Sequence, residues 1–247
     1  MHVVTGGGRG IGRAIVERLL EDGSGVVVVE LDPDALDWAH DRMIPLVGDA
    51  ADDEVASRAA GLAASHGTLR GWVNNAAVFR DAWLHRSGGR PVMELVERNL
   101  APVLAGSAAA VRHFLDAGTG GSIVNISSHQ ARRPVRGALP YATAKAAIEG
   151  LTRALAVDYG PSAVRVNALA LGSIATDRVA DLTAAERRDF DREIASLQPL
   201  GRTGKPAEVA DVVAFLLSEA SRFLTGAVIP LDGGRAAAGR DPEEKRN

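Results

Sequence analysis

Gly6, Gly7, Gly8, Gly10 and Gly12 lie between a run that reads as strand and a run that reads as helix. Few architectures accept that order. His2-Val3-Val4 precedes the glycines; after them Ile15 and Leu19 share one helical face with Val16 and Leu20 beside them, and Gly23 ends the pattern as a glycine just past a helix does. Glycines let the backbone turn sharply and approach a phosphate, and the helix start behind them offers unpaired N–H groups and a positive dipole end. The spacing Gly6-x3-Gly10-x-Gly12 differs from the Gly-x-Gly-x-x-Gly dinucleotide fingerprint, and a merely flexible turn is the plain alternative. Strand and helix on the correct sides favour the phosphate turn.

Val26-Val27-Val28-Val29 then reads as a strand buried on both faces, which is the habit of a parallel sheet. Glu30 at its C-terminal end stands where a dinucleotide site places the acid that meets the adenosine ribose; otherwise it is a solvated acid beside Asp32 and Asp34. Further strands are expected at 44–47, 69–73, 121–128, 164–169 and 227–231. Helices are expected after Gly48-Asp49 up to Gly67, from Pro91 to about Asp116, from the Tyr141 region to Tyr159, and from Ala207 to Leu217. Residues 79–90 read as a loop, and 171–204 as a polar, loosely periodic lid. Strands alternating with helices imply a doubly wound α/β chain, a parallel sheet of about seven strands with helices on both faces. Ligands gather at the C-terminal ends of such strands, which is where the glycine turn, Glu30, Asp49, Asn74, Ser128 and the loop after Leu169 fall.

The 247 residues suffice for one large domain, expected over 1–235, followed by a solvated, mobile tail over 236–247. Apolar residues make up 46% and charged residues 24%, as in ordinary soluble proteins. A net charge of -3 argues against nucleic-acid binding as the main task. The absence of cysteine removes disulfides and thiolate metal sites, and no metal is expected. No apolar run reaches the length of a membrane span, and Met1 leads almost at once into strand, so a cytoplasmic location is expected.

Chemistry is concentrated in Leu139-Pro140-Tyr141-Ala142-Thr143-Ala144-Lys145, which reads as a helix start. Tyr141 and Lys145, four apart, share a face. A lysine cation beside a phenol favours the phenolate, so a lowered Tyr141 pKa is expected, suited to proton exchange with an alcohol or ketone. The plain alternative is an aromatic–aliphatic contact. Pro102 withholds a backbone donor, so the long helix should bend near Asn99, whose amide then holds a water or satisfies local backbone. Asn74 and Asn75, at a strand end, either approach a ligand or form a turn. The loop from His129 to Pro140 carries Arg132, Arg133 and Arg136. These are either solvated or bridging subunits, or, for Arg133 and Arg136, anchors for a small hydroxy or keto substrate with an anionic or polyhydroxyl end.

Over nearly its whole length the chain resembles single-domain members of the short-chain dehydrogenase/reductase family. The resemblance rests on Thr5-Gly6-x3-Gly10-x-Gly12, Asn74-Asn75-Ala76, Asn99, Ser128, Tyr141-x3-Lys145, Leu171-Gly172-x3-Thr176 after Arg165-Val166-Asn167, and Leu231-Asp232-Gly233-Gly234. Ser128 is preferred to Ser127 because it lies 13 residues before Tyr141, the family's spacing. The resemblance implies a Rossmann-type fold and a catalytic set of Asn99, Ser128, Tyr141 and Lys145. In that set Tyr141 is the general acid/base and Lys145 lowers its pKa and holds the nicotinamide ribose. Ser128 donates to the substrate oxygen, and Asn99 holds a proton-relay water. It also implies a cofactor set of Gly6, Arg9, Gly10, Ile11, Gly12, Glu30, Asp49, Ala50, Asn75, Ala76, Tyr141, Lys145, Gly172, Ile174 and Thr176. Asp49 and Ala50 would bracket the adenine, and Ile174 and Thr176 would grip the carboxamide. Ala77 stands where the family usually has Gly, and Leu171 where it usually has Pro; both are expected to reshape the groove near the nicotinamide.

The expected activity is hydride transfer between NAD(H) and a secondary alcohol or ketone, by a homotetramer that needs no nucleic acid or membrane. NAD is favoured because Glu30 would repel a 2′-phosphate, although Arg9 is a cation that can meet one. Two other classes stand beside this reading. A non-catalytic dinucleotide-binding sensor or scaffold would turn over no alcohol or ketone. A related lyase or epimerase would turn over without net cofactor conversion.

Overall fold

The computed structural model describes residues 1–38, 40–175 and 183–239. Its centre is one parallel sheet of strands β1 (His2–Thr5), β2 (Val26–Glu30), β3 (Met43–Val47), β4 (Gly71–Asn74), β5 (Gly121–Ser128), β6 (Val164–Leu171) and β7 (Val228–Leu231). Their order across the sheet is β3-β2-β1-β4-β5-β6-β7. Sequential strands run outward to β3, and the chain then returns to the other side of β1. The switch point between β1 and β4 is where such sheets open a crevice for a ligand.

The valine run of β2 shows why the sheet is covered twice. Side chains alternate along a strand. Val27 and Val29 enter one core with Trp72, Phe114, Ile123 and Val166; Val26 and Val28 enter the other with Ile15, Val73, Val124, Leu169 and Val213. Helices α2 (Asp53–Ser65), α4 (Gly89–Ala117) and α5 (Leu139–Tyr159) supply the first core. Helix α1 (Gly10–Glu21) and the helix Pro206–Leu217, here α7, supply the second. Among the described residues prolines occur within strands only at the sheet's two edges, Pro45 in β3 and Pro230 in β7, where a missing N–H breaks no ladder on the outer side.

Two stretches expected as loop or lid contain helices. The stretch 79–90 contains a short helix α3 (Leu84–Ser87), and α4 begins at Gly89, because Gly88 with φ 77° turns the chain between them. The stretch 171–204 contains helix α6 (Ala184–Leu197). Thr183 and Glu186 cap it reciprocally: the Thr183 side chain accepts from the Glu186 N–H, and the Glu186 carboxylate accepts from the Thr183 N–H. Residues 176–182 and 240–247, which carry part of the expected lid and most of the expected tail, lie outside the described residues.

A buried polar network ties β4 and β5 to α4 and α5. Asn74 accepts from Trp72 Nε1 and donates to Ser107 Oγ and Asn125 Oδ1; Asn125 in turn donates to Thr152 Oγ1. Asn74, expected among the groups facing a ligand, is thus used to join sheet and helices below the groove.

Candidate active site

The glycine turn follows β1 and carries its demands visibly. Gly6 has φ 62°, and a Cβ there would stand 2.9 Å from Ala76 Cα. A Cβ on Gly12 would stand 1.9 Å from the Gly6 carbonyl oxygen. Both positions therefore exclude a side chain for steric reasons alone. Thr5 and Asn75 brace the turn against the end of β4. Thr5 Oγ1 accepts from the N–H groups of Asn75 and Ala76, and Asn75 Nδ2 donates to the carbonyls of Thr5 at 3.1 Å and Gly6 at 2.9 Å. Asn75 lines the groove as expected, but its amide hydrogens are committed to shaping it.

Beside the turn lies a groove of about 350 Å³ at the switch point. It brings together Gly6, Arg9, Glu30, Asp49, Ala50, Asn75 and Ala76, from the ends of four strands. Gly10, Ile11 and Gly12 form the first turn of α1 directly behind Gly6. Glu30 Oε2 accepts from the Gly8 N–H at 3.1 Å and Oε1 from the Leu31 N–H at 2.9 Å, so its carboxylate is held at the groove wall. Arg9 pairs with Asp32 at 2.5 Å across the same mouth. Arg98 also lines the groove, on the α4 side with Pro102. The sequence reading passes over it; its position one residue before Asn99 and one turn before Pro102, on the same helix face, was the available signal.

The second group of residues sits at the ends of β5 and α5. Ser128 closes β5, and Tyr141 lies in the first turn of α5, after Pro140 at a position where a helix start tolerates proline. The Ser128 hydroxyl lies beside the Tyr141 phenol. Burial pushes the Tyr141 phenol up from its ordinary value, and the Ser128 hydroxyl works against this. The direction is opposite to the lowered value expected from the Tyr-Lys spacing, because removal from water outweighs the neighbouring groups. Lys145 is 2% exposed, donates to the Ile126 carbonyl at 2.7 Å, and has its Nζ 5.3 Å from the Tyr141 ring centroid. Burial lowers its pKa to about 8. Phe79, another residue the sequence reading did not select, packs edge-on to Tyr141 with centroids 5.0 Å apart.

Asn99 is buried in α4. It accepts from the Val78 N–H at 3.0 Å and donates to the Leu95 carbonyl at 3.0 Å, tying the segment after β4 to the helix. Gly172 and Ile174 follow β6. The Gly172 N–H donates to the Leu231 carbonyl, and Ile174 pairs with Gly204. Thr176 lies outside the described residues. Of the two family departures, Ala77 lines the groove, whereas Leu171 is the buried last residue of β6, packed in the second core. Its bulk therefore goes into the core and not into the groove. The loop arginines also separate. Arg132 pairs with Glu149, Arg133 donates to the carbonyls of Arg235 and Ala238, and Arg136 is exposed. Arg133 thus gives one terminal nitrogen to the C-terminal segment.

A family model described as "Enoyl-(Acyl carrier protein) reductase" matches residues 6–236. The chain is 33% identical over 243 residues to 3-oxoacyl-[acyl-carrier-protein] reductase FabG of Chlamydia trachomatis, covering 95% of this chain and 96% of that protein. The chain belongs to the short-chain dehydrogenase/reductase family. It is also 37% identical over 243 residues to cis-4-hydroxycyclohexanecarboxylate dehydrogenase of Sinomonas cyclohexanicum, covering 95% of this chain and 96% of that protein. The solved structure of the Thermoplasma acidophilum aldohexose dehydrogenase superposes with a TM-score of 0.88 at 29% identity, covering all of this chain and 96% of that one. Membership makes the protein an oxidoreductase that uses a nicotinamide dinucleotide on a small molecule. Among the described residues no helix is long and apolar enough to cross a membrane, and no cluster of acidic or histidine side chains could hold a metal ion.

Proposed function

We propose that this oxidoreductase interconverts a secondary alcohol and a ketone, with NAD(H) preferred and Tyr141 as the general acid/base. The observation that carries the reading is the meeting of Ser128, Tyr141 and Lys145 at the C-terminal end of the sheet, beside a groove whose glycine turn has no room for a Cβ. That cradle and the acid at the end of β2 fit a dinucleotide. When bound, the nicotinamide supplies the hydride chemistry.

The chain's own residues supply position and the proton. Gly6, Gly10, Ile11 and Gly12 offer backbone to the diphosphate, with Glu30 at the ribose and Asp49 and Ala50 at the adenine. Asn75 and Ala76 form the floor, and Gly172, Ile174 and Thr176 serve the nicotinamide end. Ser128 holds the substrate oxygen, and Tyr141 gives a proton to it, or takes one from it, at the phenol oxygen. Lys145 places its ammonium group beside the ring and is assigned the nicotinamide ribose. Asn99 keeps the segment after β4 in place and is assigned the relay water. Of the loop arginines, Arg136 remains to meet an anionic substrate end.

The preference for NAD(H) rests on two carboxylates. Glu30 repels a 2′-phosphate, and Asp32 occupies Arg9, the cation that would welcome one. A tighter Kd for NADPH than for NADH overturns this preference. A panel of secondary alcohols with NAD and of ketones with NADH, followed by nicotinamide absorbance, tests the reaction class. Turnover with net cofactor conversion supports it; turnover without conversion points to a lyase or epimerase, and cofactor binding with no turnover on any member points to a sensor.

A further inference from the structure

A second cavity, of about 240 Å³, lies behind the turn that carries Ser128, between the end of β5 and the segment that follows β7. Its charged wall consists of His129, Arg132, Arg133, Glu149, Asp232 and Arg235. Ser128 also lines it, whereas Tyr141, Lys145 and Asn99 take no part in it. Three guanidinium groups thus face two carboxylates, and both carboxylates are already engaged. Glu149 takes the Arg132 Nε–H at 3.2 Å and the Ser127 hydroxyl. Asp232 takes the N–H groups of Gly234 at 3.0 Å and Ala236 at 2.7 Å.

The imbalance falls on Arg133 and Arg235. Arg133 spends one terminal nitrogen on two backbone carbonyls, which leaves its charge unneutralised. Arg235 forms no ion pair within 4 Å among the described residues, and it is half-buried. Burial is the first cause that lowers its pKa, the nearby Asp232 works against it, and Arg133 adds to it. His129 Nδ1 is buried with no hydrogen-bond partner, and burial together with Arg235 brings His129 down to about 4, so the ring is neutral and able to donate. A half-buried cation, a second, exposed cation and an unused buried ring nitrogen around one cavity are satisfied together by a negatively charged oxygen ligand. A cation would meet three guanidinium groups.

We propose that this cavity binds a small oxyanion, with the chemistry of phosphate or a carboxylate, held by Arg235, Arg133 and His129. The inference stands apart from the cofactor reading. Its test is calorimetric titration of the full-length protein, saturated with NAD, with inorganic phosphate and separately with malonate, against chloride at equal ionic strength. At least one of the two should bind saturably, and Arg235→Gln should weaken that binding at least tenfold while Arg235→Lys keeps most of it. The cofactor groove also suits an anion, and the Arg235 comparison separates the two sites. Arg235 is chosen over Arg133 because Arg133 also fastens the C-terminal segment. No saturable binding of either probe, or equal affinity in Arg235→Gln, overturns the proposal.

Discussion

In the proposed reading, the groove's preference for NAD(H) rests on individual charges around the end of β2. Glu30 is fixed by backbone N–H groups of Gly8 and Leu31, so it cannot swing away from a ribose or a 2′-phosphate. Asp32 neutralises Arg9 in an exposed pair, and pairs of that kind are worth under about 1 kcal/mol. Asp32→Ala should therefore release Arg9 and improve the Kd for NADPH by about fivefold, with NADH little changed. Equal gains for both cofactors would show that Arg9 does not read the 2′ position. His2 gives a second measurable consequence. It is buried in β1, and burial brings its pKa to about 4 from 6.5. The unfolded chain then takes up a proton first as pH falls, so stability drops below pH 6.5 until the folded pKa is reached. Between about pH 7 and about pH 4.5 this should cost about 2 to 3 kcal/mol, read as a fall in the urea midpoint that His2→Gln largely removes. An identical pH dependence in the variant would place the effect elsewhere.

Among the elements, the glycine turn, the valine strand and the first turn of α5 were legible in the sequence because each is dictated locally. A turn without room for Cβ atoms leaves glycines, and a strand covered on both faces leaves consecutive valines. Gly12→Ala should abolish cofactor binding, because its methyl would sit 1.9 Å from the Gly6 carbonyl oxygen and must push the turn apart. A variant that binds NAD within about twofold of the parent, by fluorescence titration, would contradict the assigned role of the turn. What the sequence did not show depends on partners distant in the chain. Asn74 reads as a ligand-facing amide until Ser107 and Asn125 are seen on either side of it. Arg133 reads as a free loop cation until the carbonyls of Arg235 and Ala238 are seen to take one of its nitrogens. Burial reversed the direction expected for Tyr141, and burial is a property of the assembled fold. The Thr183 and Glu186 cap is the exception, a local signal in plain view within a stretch taken for an irregular lid.

For the molecule as a whole, the parallel sheet covered on both faces follows from alternation of strands and helices, whereas assembly does not. The alanines of α4 around Ala105, Ala109 and Ala110 pack on the protein's own sheet. The apolar side chains left outside are others, such as Leu104 and Leu115 on α4, Val157 on α5, and Phe215 and Phe223 near the end of α7. Exposed apolar groups on several faces suit association of copies, and a homotetramer is the assembly proposed. Light scattering at micromolar concentration should return four times the chain mass of 25.8 kDa, and a monomeric mass would refute it. In the proposed reaction the site converges on one phenol hydroxyl, with Ser128, Lys145 and the groove positioning what Tyr141 would protonate. The direct measurement is turnover and NAD affinity of Tyr141→Phe on a substrate found active with the parent enzyme. The ring and its packing on Phe79 remain, so NAD should bind within about twofold, while kcat should fall by at least about a hundredfold. A Tyr141→Phe enzyme that keeps most of its kcat would contradict the account.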